Sequence, residues 1–127
     1  MRKIYKPAAI SSVMARILCL DDEQAVLRSY QLMFKKHDVT VASSAEEGLQ
    51  IVRSAPAPFD YVITDQNMAG GGLRGTDVLC ALVEDGFSGK MALVADCKPE
   101  DIAYAQSLGA TYIPKPDTLR PLVEFVK

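Results

Sequence analysis

The chain has 127 residues, of which 49% are hydrophobic and 24% are charged, and its formal net charge is −2. This length and composition suit one globular domain with a core of its own. The small negative charge argues against binding to nucleic acid or to an anionic membrane surface, and no apolar run approaches the roughly 18 residues of a membrane span.

The N-terminal residues lack the apolar segment of a signal peptide. We expect residues 1–14 to be a partly disordered lead-in and residues 15–127 to form one domain. The three cysteines, Cys19, Cys80 and Cys97, do not have the spacing of a metal site. Cys19 and Cys80 fall in apolar patterns that predict burial, and reduced thiols without a signal peptide predict a cytoplasmic location.

Short apolar runs alternate along the chain with stretches of helical periodicity. The predicted strands are, in chain order, 16–20, 38–43, 60–64, 90–95 and 111–114. A helix is predicted after each strand. The strands show no polar alternation, which is typical of a parallel sheet covered on both faces. The pattern therefore predicts a doubly wound α/β fold.

Several of these helices have recognisable start and stop signals. Ser44, with Glu47 three residues later, matches a capping box at the start of the second helix. Pro99 fits the first turn of the fourth helix, and Gly109 is expected to end it. Asp117 is predicted to cap the last helix.

Charged residues follow three of the predicted strands directly. Asp21 and Asp22 follow the first strand, Asp65 follows the third and Lys115 follows the fifth. Each has a common structural explanation when taken alone, as a strand end, a helix cap or a turn. Their joint occurrence favours function, because ligands bind at the carboxyl ends of the strands in such sheets.

Three carboxylates within a few ångströms raise one another's pKa values. A divalent cation relieves this repulsion, and carboxylate oxygens with water are the ligands that Mg²⁺ prefers. The ammonium of Lys115 can hold a phosphoryl oxygen. The residues therefore predict a pocket that binds Mg²⁺ and accepts a phosphoryl group on a carboxylate.

The segments "ILCLDDE", "YVITDQNM" and "YIPKP" resemble the receiver domain of bacterial two-component response regulators. The resemblance extends from residue 16 to residue 127. This resemblance to a CheY-like receiver domain implies a flavodoxin-like (βα)5 fold, whose five parallel strands form a sheet in the strand order 2-1-3-4-5.

The resemblance also implies a role for each residue of the pocket. Asp65 matches the phosphoacceptor, which takes its phosphoryl group from a histidine kinase or a histidine phosphotransfer protein. Asp22 matches a direct ligand of Mg²⁺ or Mn²⁺, Asp21 a ligand acting through water, and Asn67 a ligand through its backbone carbonyl. Lys115 matches the lysine that contacts the phosphate, and Asp65 itself completes the metal site.

The switch residues of the family are only partly present. Tyr112 matches the aromatic residue whose rotamer reports phosphorylation, and Pro116 matches a proline that commonly forms a cis peptide. Ala95 stands where the family has a Ser or Thr whose hydroxyl bonds the phosphoryl group. Thr64 precedes Asp65, but strand alternation sends its side chain to the opposite face, so we do not expect it to substitute.

The loop after Asp65 also departs from the family pattern. Met68 is in place, but Ala69 replaces the usual proline and Gly75 comes two residues late. Three glycines occupy residues 70–72. Since glycine loses more conformational entropy on ordering than any other residue, we expect this loop to be mobile without ligand.

Two functions follow from these features. The first is a phosphoacceptor receiver in a signalling relay, which catalyses its own phosphorylation and dephosphorylation and is not a turnover enzyme. The second is a degenerate receiver that serves as a phosphorylation-independent interaction module. The expected downstream partner is another protein or a C-terminal output domain absent from this chain. The resemblance implies that it binds to the face formed by helix 4, strand 5 and helix 5. A phosphatase is disfavoured by Asn67, which stands where that class has a second Asp, and an FMN-binding flavodoxin by the acids after strand 1.

Overall fold

The computed structural model describes residues 14–68, 70, 72–115 and 118–127. Most of the predicted lead-in lies outside these residues. Four single positions with predictions also lie outside them: Ala69, the glycine at 71, Pro116 with its predicted cis peptide, and Asp117 with its predicted helix cap.

Five strands alternate with five helices in the described part of the chain, as the sequence predicts. The strands are β1 (Arg16–Leu20), β2 (Asp38–Ala42), β3 (Tyr61–Thr64), β4 (Lys90–Ala95) and β5 (Thr111–Pro114). The helices are α1 (Gln24–Met33), α2 (Ala45–Ser54), α3 (Gly75–Glu84), α4 (Pro99–Ser107) and α5 (Leu119–Phe125).

The strands form one parallel sheet in the order β2-β1-β3-β4-β5. This confirms the predicted fold class and strand order. Leu20, at the carboxyl end of β1, lies between Ala42 of β2 and Thr64 of β3. Strand β2 pairs with one edge of β1, and β3 pairs with the opposite edge. The carboxyl end of β1 is therefore the point where the strand order reverses, which is where such sheets bind ligands.

Both faces of the sheet are covered by apolar side chains. In β1, Ile17 and Cys19 join the core cluster on the side of α1 and α5, whereas Leu18 and Leu20 join the cluster that includes α2 and α3. This alternation follows from the two-residue period of a strand. All four side chains are fully buried, so the expected covering of both faces is confirmed.

The predicted helix signals are largely confirmed. Ser44 Oγ accepts a hydrogen bond from Glu47 N (3.1 Å). The return bond differs from a capping box, because Glu47 Oε1 accepts from Ser43 N, one residue before the cap (2.8 Å). Pro99 is the first residue of α4, and Gly109 follows that helix with a φ of 91°.

The cysteines are free, and Cys19 is buried, which raises the pKa of its thiol. Cys80 was expected to be buried and is only half-buried, because it lies towards the edge of the face that α3 packs against the core. None of the described helices has the length and apolar character needed to cross a membrane.

Candidate functional site

Three strands, β1, β3 and β5, are each followed directly by a charged residue, and backbone hydrogen bonds join that residue to the sheet. Asp21 N donates to Ala42 O (3.1 Å) and Asp65 N donates to Leu20 O (3.0 Å). Lys115 N donates to the carbonyl of the last residue of β4 (3.3 Å). The Cα positions of the charged residues are therefore fixed by the sheet itself rather than by a loose turn.

One ammonium group joins the two carboxylates. Lys115 Nζ lies 3.1 Å from Asp21 Oδ2 and 3.2 Å from Asp65 Oδ2. The side chain of Asp21 is fully buried, whereas that of Asp65 is 14% exposed and that of Lys115 is 27% exposed. The structure thus brings together three residues that are 44 to 94 positions apart in sequence, and Asp65 retains an opening to solvent.

Asp22 completes an all-oxygen group with the two other acids. Carboxylate oxygens of Asp21, Asp22 and Asp65 lie within 4.8 Å of one another. Hard divalent cations such as Mg²⁺ are held by oxygen ligands of this kind together with water. The donor set therefore fits the predicted cation. Asn67 is exposed, and the part predicted for its backbone carbonyl stays a prediction.

Burial and charge act against each other on the carboxylate of Asp65. Burial raises its pKa, Lys115 lowers it, and the nearby carboxylate of Asp21 raises it further, so that the net pKa is raised. For Lys115 burial lowers the pKa, but Asp65 and Asp21 together outweigh burial and the net pKa is raised. The pKa values of both partners are therefore raised, that of Asp65 chiefly by burial and that of Lys115 by its two carboxylate neighbours.

β4 ends at Ala95, which has no side-chain hydroxyl to donate to a phosphoryl group, as the sequence predicts. Ala95 is buried, and its carbonyl oxygen accepts a hydrogen bond from the Tyr112 hydroxyl (2.9 Å). The Thr64 hydroxyl donates to the backbone carbonyl of Asp65 (2.8 Å) rather than to its carboxylate. Neither Ala95 nor Thr64 thus supplies the side-chain hydrogen bond that the family's Ser or Thr provides.

Comparison with known proteins agrees with this geometry. The family model for the response regulator receiver domain matches residues 17–127. The chain belongs to this family. Receiver domains generally bind Mg²⁺ at an acidic pocket, take part in phosphoryl transfer, and interact with histidine kinases or phosphotransfer proteins.

Solved receiver domains share this fold. The chain is similar to a response regulator receiver domain protein from Clostridium thermocellum, with 28% identity over 88% of this chain and 90% of that one, at a TM-score of 0.79. A CheY-like receiver domain protein from Methanospirillum hungatei JF-1 has 27% identity over 89% and 90%, also at 0.79. The phosphorylated cyanobacterial phytochrome response regulator RcpA shares the fold at 20% identity, over 90% and 89%, with a TM-score of 0.75. No significant match was found among curated proteins.

A buried amide next to Asp65 was missed by the sequence reasoning. Gln66 is fully buried, and its side chain exchanges two hydrogen bonds with Thr76 near the start of α3. A signal for it existed, because strand alternation places Gln66 on the same face as Val62 and Thr64, which is covered by α2 and α3, and opposite Asp65. A glutamine on that face must find a partner inside the protein.

Gly75 has a specific reason to be glycine in this receiver domain. A Cβ added to it would lie 2.0 Å from the backbone oxygen of Asp65, far inside van der Waals contact. Its own N–H donates to Gln66 O (2.9 Å). Gly75, which comes two residues later than the glycine of the family pattern, therefore lets the start of α3 pack directly on the backbone of Asp65.

The far end of the lengthened loop is attached to α2. Leu73 N donates to Glu46 Oε2 (3.1 Å), and this bond is the main reason that the pKa of Glu46 is lowered. Ala69 and the glycine at 71 lie outside the described residues, so the expected mobility of the loop stays a prediction.

We predict that Asp65→Asn stabilises the metal-free protein at neutral pH. The folded pKa of Asp65 is raised, so between the ordinary pKa of aspartate and this raised pKa the folded protein keeps a proton that the unfolded chain has lost, and its stability falls as the pH rises across that window. The advantage of the variant should therefore grow from the ordinary pKa of aspartate up to the raised pKa, stay constant above it, and vanish below the ordinary pKa.

Urea denaturation in the presence of a chelator measures this difference. Glu84→Gln is the matched control, because it removes one negative charge from an exposed position on α3 and should give no such gain. An Asp65→Asn variant that is less stable than wild type at neutral pH would show that the ion pair with Lys115 outweighs burial.

Proposed function

We propose that Asp65 accepts a phosphoryl group from the phosphohistidine of a histidine kinase or a histidine phosphotransfer protein, in a Mg²⁺-dependent reaction. Phosphorylation then alters the contacts of the domain with other proteins. The observation that carries this proposal is the sharing of the Lys115 ammonium between Asp21 and Asp65, at 3.1 and 3.2 Å, with Asp22 beside them.

The proposed chemistry balances with water as the one further reactant. A carboxylate oxygen of Asp65 attacks the phosphorus of the phosphohistidine, and the phosphorus–nitrogen bond breaks. The imidazole nitrogen keeps the electron pair and is later protonated. Attack of water on the resulting acyl phosphate returns the carboxylate and releases inorganic phosphate. The protein is regenerated only after its own modification, so we class it as a signalling domain rather than a turnover enzyme.

The surrounding residues have positioning and electrostatic roles in this reaction. Asp21, Asp22 and Asp65 would hold Mg²⁺ (or Mn²⁺), with the carbonyl of Asn67 as a further ligand. When bound, the cation supplies charge neutralisation for the phosphoryl oxygens. Lys115 can turn its ammonium from the carboxylates to a phosphoryl oxygen, since it is already within hydrogen-bond distance of Asp65. Phosphoryl transfer depends mainly on such positioning and charge stabilisation.

Partners are proposed to be proteins. The family resemblance indicates that they bind through the face formed by helix 4, strand 5 and helix 5. This proposal is supported by the position of β5 at an edge of the sheet and by the exposure of Leu119 and Val123 on α5. A downstream protein or a C-terminal output domain in the cytoplasm would be the recipient, without direct contact with nucleic acid or membrane.

A second candidate function is favoured by one observation. Ala95 is buried at the end of β4 and brings no hydroxyl towards the site, so the coupling from the phosphoryl group to Tyr112 lacks its usual first member. A degenerate receiver that binds its partner independently of phosphorylation would need no such coupling. The intact acids and Lys115 favour the phosphoacceptor instead.

Incubation with acetyl phosphate and Mg²⁺ tests the proposed function. We expect intact-protein mass spectrometry to show the gain of one phosphoryl group in the wild type and in the control Glu84→Gln. Asp65→Asn should show none, because the nucleophile is gone. Absence of the gain in the wild type, under conditions in which another receiver domain reacts, would contradict the phosphoacceptor function and favour the degenerate receiver.

We further predict that Ala95→Ser strengthens the response to phosphorylation. A hydroxyl at the end of β4 can donate to the phosphoryl group, and a hydrogen bond to a charged group is worth roughly 1.5 to 3 kcal/mol. The stabilisation of the protein by beryllofluoride, a stable analogue of the phosphoryl group, should increase by about that amount over the wild type.

Chemical denaturation with and without beryllofluoride measures this increase. Ala95→Cys is the matched control, because a thiol adds one heavy atom at the same position as the hydroxyl but is a weak donor, and it should behave like the wild type. Equal stabilisation of the serine and cysteine variants would mean that the hydroxyl does not reach the phosphoryl group.

A further inference from the structure

We propose that Gln66 is a positioning residue for Asp65, and that it acts through a side-chain clamp on Thr76 at the start of α3. This inference rests on the proposed function of Asp65. It assigns to the residue after the phosphoacceptor the task of holding Oδ1 of the carboxylate, while Lys115 contacts Oδ2.

The carboxylate of Asp65 is held at both oxygens. Lys115 Nζ contacts Oδ2 at 3.2 Å, and the backbone N–H of Gln66 donates to Oδ1 at 2.7 Å. The latter distance is typical of a strong hydrogen bond to an ionised acceptor. The direction of the Gln66 N–H therefore helps to set the plane of the carboxylate, and any rotation of the Asp65–Gln66 peptide would remove one of its two anchors.

Three hydrogen bonds fix the orientation of Gln66 itself. Thr76 N donates to Gln66 Oε1 (2.8 Å), and Gln66 Nε2 donates to Thr76 Oγ1 (3.0 Å). Gly75 N donates to the backbone oxygen of Gln66 (2.9 Å). A backbone N–H can only donate, so the oxygen of the amide must face Thr76 N, and the amide cannot be reversed without loss of that bond.

Both side chains of the clamp are inaccessible to solvent. Gln66 is fully buried, and Thr76 is 1% exposed. Water is therefore a poor replacement for a lost partner, which makes the paired arrangement strongly preferred over any alternative.

The clamp spans the base of the lengthened loop. Gln66 precedes the loop and Thr76 follows it, ten positions later. The close approach of Gly75 to the Asp65 carbonyl leaves little room for movement between them. The geometry at Asp65 is therefore isolated from the conformation of the glycine-containing segment in between.

A purely structural explanation is that the pair only satisfies two buried polar groups. The two explanations differ in what happens to Asp65. If the pair is structural, its loss lowers global stability and leaves the folded site unchanged. If the clamp positions Asp65, its loss changes the folded site itself, since the same residue that Thr76 holds also holds the carboxylate.

The test uses Thr76→Val, which removes the hydroxyl but preserves the shape of the side chain and the bond from the backbone N–H. Thr76→Ser keeps the hydroxyl and should restore the wild-type behaviour. Ile17→Val is the matched control for stability, because it shortens a fully buried side chain at the other end of β1. Thr76→Ala replaces Thr76→Val if the valine variant does not fold.

The first measurement is the amide proton resonance of Gln66 in the metal-free, unphosphorylated protein. A chemical shift reports the folded state and is insensitive to a loss of global stability. We expect it to move in Thr76→Val, because the hydrogen bond to Asp65 Oδ1 is weakened, and to stay at its wild-type position in Thr76→Ser and Ile17→Val.

The second measurement is the rate of phosphorylation by acetyl phosphate at saturating Mg²⁺. Small misplacements of a reacting group can cost up to about a hundredfold in rate, so we expect Thr76→Val to react roughly ten- to a hundredfold more slowly. A Thr76→Val rate equal to that of Ile17→Val, or an unchanged Gln66 amide resonance, overturns the proposal. If the wild type is not phosphorylated at all, the proposed function fails, and the amide resonance alone decides whether Gln66 positions Asp65.

Discussion

The site is organised around the two contacts of the Lys115 ammonium, to the buried carboxylate of Asp21 and to the partly exposed carboxylate of Asp65. One positive charge cannot neutralise two negative charges, and burial adds a further cost to each ionised carboxylate. The ionised form of Asp65 is therefore disfavoured in this arrangement, and its pKa is raised. Any divalent cation or any shift of Lys115 towards a phosphoryl group changes this balance, so that structure and proposed function depend on the same interaction.

The sheet makes that arrangement possible. Residues that follow β1, β3 and β5 are brought to one edge by parallel strands in the order β2-β1-β3-β4-β5, and each is anchored by a backbone hydrogen bond to a neighbouring strand. The apolar layers on the two faces hold these strands in register. The charges are thus held together by a core that lies elsewhere, which is how a protein can keep like charges close in a stable fold.

Much of this was predictable from the sequence, for physical reasons. Unbroken apolar strands predict a sheet covered on both faces, and acids directly after such strands predict a common edge. The interactions that were not predicted are those of buried polar residues. The pairing of Gln66 with Thr76 depends on how the start of α3 packs, and no local pattern encodes a contact across a loop of irregular length. The partial exposure of Cys80 has the same origin, since periodicity predicts which face of a helix packs but not how far the packing extends. The roles of the individual site residues stay predictions that the geometry supports.

The proposed function depends on the binding of a divalent cation by the carboxylates at this edge, and its most direct measurement is the effect of Mg²⁺ on stability. The free energy of unfolding of the wild type should rise by about 2.7 kcal/mol at a Mg²⁺ concentration one hundred times the dissociation constant found by calorimetry. Glu84→Gln should show the same rise, whereas Asp22→Asn should show little at that concentration because a ligand and a charge are lost. A wild type whose stability does not respond to Mg²⁺, or an Asp22→Asn variant that responds equally, would contradict the account.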